Sequence, residues 1–257
     1  MRLSRFFLRA SNALVSFIVI LLLCIAGTYS VYALWDNNHI YAKAKNVQSD
    51  MLSLKPDINN SEKAKASFEE LLAINKDVCG WITMDGTKID YPVVQGETNL
   101  TYINTDVYGD FSLAGSIYLD SRCDKNFQDN YSLLYGHHMD NSNMFGDLDL
   151  YKKEDFFKEN KTGTLILPDR SYDLKVYACL LVAASEGNIF DTAQVQGNIN
   201  NLHTYVEKNA MYINKDTFIK AKEQADKQII ALSTCSSEFT DARTIILAVM
   251  EPHTPAE

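Results

Sequence analysis

Residues 228–250 read QIIALSTCSSEFTDARTIILAVM and predict the two C-terminal strands of a β domain. This stretch contains two apolar runs, 228–234 and 244–250, with the length and the β-branched content of buried strands. If the two strands pair as a hairpin, Cys235 at the end of the first and Arg243 at the start of the second lie near the same turn. Their side chains are then within reach of each other across that turn.

Strand-like runs recur along the chain towards the N-terminus. A period of two on both sides of Asp85-Gly86 predicts a β-hairpin over residues 81–91. Further strands are predicted at residues 116–119, 131–135, 163–167 and 174–184. Helices are predicted between them at residues 147–159, 195–211 and 216–225. About eight strands with few crossover helices favour a mainly β domain, expected as a closed barrel with helices in its connections.

The N-terminal segment has the character of a membrane anchor. Arg2, Arg5 and Arg9 precede residues 10–35, which contain no charged side chain. About 20 apolar residues are enough to cross a bilayer core, and the basic residues before the span predict a cytoplasmic N-terminus, residues 1–9. A cleaved signal peptide also has a basic start and an apolar middle, and Ala26-Gly27-Thr28 is the best cleavage candidate.

Two helices are expected between the anchor and the β domain. Residues 36–54 have helical composition and mixed charge, and Pro56 stops this stalk helix. Ser61 is expected to cap a second helix over residues 62–75. Its predicted apolar stripe includes Ala64, Phe68, Leu71 and Leu72. The predicted organisation is therefore helical over residues 36–78 and a β-barrel over residues 79–257.

Composition excludes several classes of protein. The hydrophobic fraction of 46% and the charged fraction of 22% are typical of a folded globular chain and exclude a disordered one. The formal net charge is −9, and no basic block occurs beyond the N-terminus, so no nucleic-acid partner is expected. Five cysteines are too few for a scaffold stapled by disulfides.

The pairing of Cys235 with Arg243 is the first candidate for chemistry. A thiol beside a guanidinium has its thiolate form favoured by the positive charge, which is what a cysteine nucleophile needs. A buried strand cysteine with an unrelated surface arginine fits the spacing as well. The spacing alone does not choose between these readings.

The second candidate is the histidine pair at the end of the apolar strand YSLLY. The chain continues there with Gly136, His137 and His138, and catalytic groups are often displayed at strand ends. A histidine can serve as acid or base towards a cysteine nucleophile and a leaving amine, although an exposed loop pair is the simpler alternative. Adjacent histidines point apart and no C-x-x-C or H-x-x-x-H accompanies them, so neither a metal nor another cofactor is expected.

The remaining cysteines are weaker candidates. Cys24 lies inside the apolar span, and Cys79 and Cys179 look like small apolar fillers. Cys123 follows a charged loop and is less easily dismissed. Disulfides among Cys79, Cys123 and Cys179 remain open at this point.

Taken together, these motifs resemble those of the class B sortases of Gram-positive bacteria. The resemblance rests on the membrane anchor, the helices before a β domain, Tyr-Gly-His-His at 135–138 and LSTCSSEFTDAR at 232–243. It covers essentially the whole chain in the same order, including a long helical insertion over residues 186–225. The combination is highly specific, although each piece alone is not.

The resemblance implies a cysteine transpeptidase on an eight-stranded β-barrel. By matching position, it implies that Cys235 is the nucleophile and that His137 is the general acid and base. Arg243 is implied to hold the substrate and to support the oxyanion. His137 is preferred over His138 because the family's histidine directly follows the glycine.

The resemblance also implies a substrate groove. Asn99, Ile103 and Ser233 match family positions that line it. Ser233 shares one face of an ideal strand with Cys235, which gives this assignment independent physical support. For Asn99, a role as a helix cap or turn residue is an alternative.

The implied reaction joins secreted proteins to the cell wall. The enzyme would cleave a C-terminal sorting motif after its threonine, form a thioester and transfer the acyl group to a peptidoglycan precursor amine. Its partners would be secreted proteins with a sorting signal and the cytoplasmic membrane, with the catalytic domain extracellular. A secreted cysteine peptidase that only hydrolyses, and a membrane-tethered binding module without activity, are the alternatives.

Overall fold

The fold was analysed in a computed structural model of the chain. The structure describes residues 2–223, 227–235 and 241–254, without the side chains of residues 2–5 and 235. The chain divides into two compact units, residues 1–43 and residues 44–257.

The N-terminal helix α1 runs from Arg2 to Leu52. The predicted apolar span and the predicted stalk therefore belong to one continuous helix. Within the described residues, it is the one helix long and apolar enough to cross a membrane. Large apolar side chains such as Leu22 and Leu23 are exposed on it. By its length and composition, this helix suggests a membrane anchor.

The second helix, α2, spans Ser61–Ile74 and corrects two details of the prediction. The N-cap is Asn60, whose side-chain oxygen accepts a 3.0 Å hydrogen bond from the backbone N–H of Lys63, so Ser61 is the first helical residue instead. Phe68 and Leu71 are buried as expected, but Leu72 is 39% exposed. The apolar stripe is therefore narrower than the sequence pattern indicates.

Eleven strands occur in the described part of the chain, and their bounds are as follows. They are β1 (Val78–Met84), β2 (Asp90–Val94), β3 (Ile117–Leu119), β4 (Tyr131–Tyr135), β5 (His138–Met139), β6 (Asn143–Met144), β7 (Thr162–Ile166), β8 (Ser171–Ala183), β9 (Tyr212–Ile213), β10 (Gln228–Cys235) and β11 (Ala242–Pro252).

Eight of these described strands form the predicted closed barrel. Their order is β11-β10-β4-β3-β2-β1-β7-β8, and β8 pairs with β11 to close the ring. The barrel is mixed, because β10 pairs with β4 and β2 pairs with β3 in parallel, while the other pairs are antiparallel. Strand β9 lies beside β8, and β5 and β6 form a separate short hairpin. Closure leaves no free edge in the ring.

The remaining helices lie in the connections, as expected. They are α3 (Glu154–Glu159), α4 (Gly187–Phe190), α5 (Thr192–Gly197), α6 (Ile199–Asn209) and α7 (Lys215–Glu223), with a 3-10 helix at Gly146–Lys152. The single helix predicted over 147–159 is thus two elements, separated by Lys153 in an extended conformation (φ −94°, ψ 125°).

The helical insertion α4–α7 packs against the barrel wall. Leu202, Val206 and Phe218 from the insertion join Tyr131 and Tyr177 from the strands in one buried cluster. Each fully buried side chain of this size contributes roughly 1.5–3 kcal/mol to stability. The packing therefore holds the insertion against strands β4 and β8.

Candidate active site

The ends of three strands define the candidate site. Cys235, the last residue of β10, pairs with Arg243 on β11 in antiparallel register. This confirms the predicted hairpin. On the other side of β10, Ser233 pairs with Tyr135, the last residue of β4, in parallel register. The side chain of Cys235 lies outside the described atoms, so its position is known here through its backbone pairing alone.

A cavity of about 280 Å³ opens beside these strand ends. Its lining consists of Ile103, Tyr118, Arg122, Tyr135, Gly136, His137, Ala184, Phe190, Ser233, Thr234 and Arg243. Four residues singled out from the sequence (Ile103, His137, Ser233 and Arg243) are therefore brought to one cavity. It combines aromatic and apolar walls with a few polar groups, as substrate pockets commonly do.

His137 is held by a short hydrogen bond. Its Nε2 lies 2.6 Å from the carbonyl oxygen of Ile103. A carbonyl oxygen only accepts hydrogen bonds, so Nε2 is the donor in this contact and Nδ1 is the ring nitrogen left for another partner. The imidazole is thus oriented by the segment that also supplies Ile103 to the cavity wall.

Gly136 allows the chain to turn from β4 into this position. A Cβ added at Gly136 would lie 2.5 Å from Ile117 Cδ1 and 2.7 Å from Phe145 Cγ. Both contacts are too close for any other residue without rearrangement. The backbone N–H of Gly136 also donates a 3.1 Å hydrogen bond to the carbonyl of Ser233. The backbone of Gly136 therefore holds the segment that contains His137 against the end of β10.

Only one nitrogen of the Arg243 guanidinium hydrogen-bonds a described protein atom. Its Nη1 donates a 2.9 Å hydrogen bond to the carbonyl oxygen of Ala242. Across the described atoms, its Nε and Nη2 have no protein acceptor. The side chain is partly buried at the cavity wall. A fixed guanidinium with spare donors can bind a carbonyl oxygen or an oxyanion.

Two hydroxyl groups in the cavity wall also lack partners. Ser233 and Thr234 are 1% and 2% exposed, and neither Oγ of Ser233 nor Oγ1 of Thr234 has a hydrogen-bond partner among the described atoms. Buried hydroxyls are normally paired. Ser233 and Thr234 are thus buried polar residues in the cavity lining whose hydroxyls have no partner among the described atoms.

Asn99 does not line the cavity. Its Nδ2 donates to Asp120 Oδ2 at 2.9 Å, and its Oδ1 accepts from the backbone N–H of Ser121 at 2.7 Å. Tyr135, which does line the cavity, donates its hydroxyl to the same Asp120 oxygen at 3.0 Å. The structure therefore places Asn99 behind the wall, linked to the cavity through Asp120.

Arg122 lines the cavity, and the sequence patterns did not single it out. Its Nε and Nη2 donate to the two carboxylate oxygens of buried Asp120 at 2.9 and 2.7 Å. Burial alone would raise the pKa of Asp120, but the hydrogen bonds from Arg122 and Asn99 lower it below its usual value. The Nη2 of Arg122 also donates to the carbonyl of Phe190 at 2.7 Å, which ties α4 to the cavity wall. In the sequence, the Asp-x-Arg spacing at 120–122 was the signal that could have identified Arg122.

His138 faces a different partner from its neighbour. Its Nε2 lies 3.2 Å from Asp149 Oδ2, and this contact raises the pKa of His138 above its ordinary value. The expectation that the adjacent histidines project to different sides is consistent with these contacts. Asp149 was not singled out from the sequence.

The other cysteines of the barrel unit do not form the disulfides left open by the sequence. Cys79, Cys123 and Cys179 are free and buried. Burial raises the pKa of each of these thiols to about 12. They are therefore poor nucleophiles. In the part of the chain that the structure describes, no group of three or more His, Cys, Asp or Glu residues is placed to hold a metal ion.

Comparison with known proteins gives a consistent result. The Sortase domain family matches residues 82–251. Sortase B of Staphylococcus aureus is 27% identical over 251 residues, which cover 97% of this chain and 97% of that protein. The structure of a Streptococcus pyogenes class B sortase involved in pilus biogenesis is 35% identical, with a TM-score of 0.63, over 72% of this chain and 97% of that one. A mutant form of Clostridium perfringens sortase B has a TM-score of 0.71 at 26% identity, over 79% of this chain and 96% of that one.

Proposed function

The chain belongs to the sortase family and is a cysteine transpeptidase, and we propose that it is a membrane-anchored enzyme that attaches secreted proteins to peptidoglycan. In this proposal it recognises a C-terminal sorting motif and cleaves it after threonine. The acyl group is then transferred through a thioester to an amine of a cell-wall precursor.

The proposed nucleophile is Cys235. Its thiolate attacks the threonine carbonyl carbon, and the negative charge that develops on the oxygen is stabilised by the Arg243 guanidinium. The tetrahedral intermediate collapses when the C–N bond breaks, and protonated His137 gives a proton to the leaving amine. The products of this half-reaction are a thioester on Cys235 and a free amine fragment.

The second half-reaction reverses the roles. His137 accepts a proton from the incoming cell-wall amine as that amine attacks the thioester carbonyl. The new amide bond forms and the Cys235 thiolate leaves. No redox step or external energy source is required, because the thioester retains the acyl-transfer potential of the cleaved peptide bond.

One observation carries this assignment. The backbone register places Cys235 opposite Arg243, and Arg243 shares a cavity with His137. The presence of Ser233 and Ile103 in the lining of the same cavity supports their proposed contacts with substrate. Asn99 is proposed to act on the groove through Asp120, given its hydrogen bonds.

Residues 10–35 are proposed to be the anchor. The three arginines before them favour a cytoplasmic N-terminus at residues 1–9, which leaves the helical segment 36–78 and the barrel 79–257 outside the membrane. This location would bring the site to both secreted substrates and lipid-linked wall precursors.

The proposal is tested by product analysis. The full chain in detergent is incubated with a peptide that spans the sorting signal of a secreted protein from the same bacterium, with and without hydroxylamine. Cleavage after threonine with formation of a hydroxamate is expected, because hydroxylamine captures a thioester. Equal hydrolysis with and without the amine would indicate a peptidase, and no reaction with any such peptide would indicate a binding module.

A further inference from the structure

One carboxylate contacts residues on both sides of the cavity from behind, and the mechanism above does not use it. Asp149 belongs to the 3-10 helix Gly146–Lys152. Its Oδ2 lies 3.2 Å from His138 Nε2, and its Oδ1 accepts a 2.6 Å hydrogen bond from Thr244 Oγ1. Asp149 therefore joins the segment after β4 to strand β11.

Two residues that Asp149 bonds, His138 and Thr244, are direct neighbours of two of the three catalytic candidates, His137 and Arg243. In extended chain, adjacent side chains point to opposite sides. His137 and Arg243 line the cavity, whereas His138 and Thr244 bind Asp149. Thr244 is fully buried, so its hydroxyl depends on this acceptor.

The charges around Asp149 strengthen these contacts. Lys152 Nζ lies 2.9 Å from its Oδ2. Burial alone would raise the pKa of Asp149, but the hydrogen bonds from His138, Thr244 and Lys152 outweigh burial and lower the pKa to about 2. The carboxylate is therefore ionised at neutral pH, and its hydrogen bonds are charge-assisted, which makes them stronger than neutral ones.

We propose that Asp149 is a positioning residue for the transfer reaction, and that its carboxylate fixes the His137 segment and strand β11 relative to each other. The inference rests on the proposed function, which assigns the groups whose alignment Asp149 controls. Among the described atoms, the Asp149 carboxylate bonds His138, Lys152 and Thr244 and neither His137 nor Arg243. Removal of the Asp149 carboxylate is therefore expected to slow the reaction by misaligning His137 and Arg243. A displacement of about 1 Å costs roughly 10²-fold in rate.

The same helix offers a matched control. Asp147 is also buried, but its Oδ2 accepts a 2.8 Å hydrogen bond from the backbone N–H of Lys88. Among the described residues, its carboxylate hydrogen-bonds neither histidine and no residue of β11. Asp147→Asn therefore perturbs the same helix without releasing either cavity segment.

The test compares variants of the full chain in detergent. The probe is the sorting-signal peptide with hydroxylamine, and the small thiol reagent iodoacetamide is a second readout. Asp149→Ala is expected to lower kcat by roughly 10–100-fold with KM changed by less than about three-fold. Thr244→Val is expected to lower kcat by roughly ten-fold, and Thr244→Ser, which keeps the hydroxyl, to stay within about three-fold of wild type. Alkylation of Cys235 should stay within a few-fold of wild type, because a small reagent does not need His137 and Arg243 aligned on a bound peptide.

Several results would overturn the positioning role. One is a folded Asp149→Ala protein whose kcat matches that of Asp147→Asn. Additive losses in Asp149→Ala and Thr244→Val would be another, because residues that act through one contact give non-additive effects. If Asp149→Ala does not fold, the Thr244→Val and Thr244→Ser pair decides the question. Absent turnover in the wild-type protein would refute the proposed function itself, whereas normal turnover with unaffected variants would refute only the positioning role.

Discussion

Replacing Arg243 by lysine separates the charge of this residue from its geometry. Both side chains are cationic at neutral pH. If Arg243 acted only through its positive charge, the Arg243→Lys enzyme would therefore keep its activity. In the structure, Nη1 of Arg243 is bound to the Ala242 carbonyl, and Nε and Nη2 have no acceptor among the described residues. A lysine supplies one nitrogen in place of three and cannot keep this bond while also presenting a planar pair of donors.

The expected loss follows from the missing donors. Removing one oxyanion donor typically lowers turnover by ~10²–10³, or ~2.7–4 kcal/mol of transition-state stabilisation. Arg243→Lys should therefore lower kcat on the sorting-signal peptide by roughly two orders of magnitude. The fold should survive, because a partly buried cation is retained, and the free energy of unfolding should change by about 1 kcal/mol or less.

Two assays on this variant test the reasoning. Peptide turnover measures the oxyanion role, and the rate of iodoacetamide alkylation as a function of pH measures the reactivity of the Cys235 thiol. We expect alkylation within a few-fold of wild type alongside the loss of turnover. Near-normal turnover would refute the oxyanion role and leave an electrostatic one. A parallel loss of both activities would mean that Arg243 acts mainly through the cysteine.

Three further predictions concern the histidines and the thiols. His137→Ala should lose at least ~100-fold in kcat/KM, whereas His138→Ala should lose far less; equal losses would contradict the assignment of His137, and the two rates are compared on one peptide. Iodoacetamide on the native protein should label Cys235 and spare Cys123, whose pKa is raised to about 12 by burial; mass spectrometry of the digested protein identifies the labelled site, and labelling of Cys123 at a comparable rate would contradict the prediction. Burial lowers the pKa of His203 below its ordinary 6.5, with Lys222 contributing, so the unfolded chain binds more protons and the stability contributed by neutral His203 is present above pH 6.5 and lost as pH falls below it. The Tm of wild type should therefore fall more steeply from pH 7 to pH 5 than that of His203→Phe, and parallel curves would contradict this.

The parts of the fold that could be predicted are those whose contacting residues lie close together in the sequence. The β10–β11 hairpin is an example, because two apolar runs and a short connection specify its register, which places Cys235 opposite Arg243. The hairpin around Gly86 is another, and Gly86 adopts the positive φ of 75° that the Asp-Gly turn predicts. A closed barrel was also predicted, from the strand count and the resemblance to class B sortases, but the closing pair, β8 with β11, was not.

The contacts that could not be predicted join residues far apart in the chain. Arg122 and the carbonyl of Phe190 are separated by 68 positions, and Asp149 and Thr244 by 95. No local pattern encodes such pairs, because they depend on how the barrel closes.

Local choices between similar residues were the other source of error. Asn60 and Ser61 are both favourable N-cap residues, and because the chain uses Asn60 as the cap, α2 begins one residue earlier than predicted. The groove role of Asn99 was predicted from the resemblance alone and stays a prediction; its amide hydrogen-bonds Asp120 and Ser121.

The most direct test of the account is the detection of the acyl-enzyme. The full chain is mixed with the sorting-signal peptide without an amine acceptor, quenched in acid and analysed as an intact protein by mass spectrometry. We predict an adduct with the mass of the acyl fragment up to threonine, located on Cys235, absent from Cys235→Ala and discharged by hydroxylamine. Peptide cleavage that persists in Cys235→Ala, or an adduct on any other residue, would contradict the mechanism.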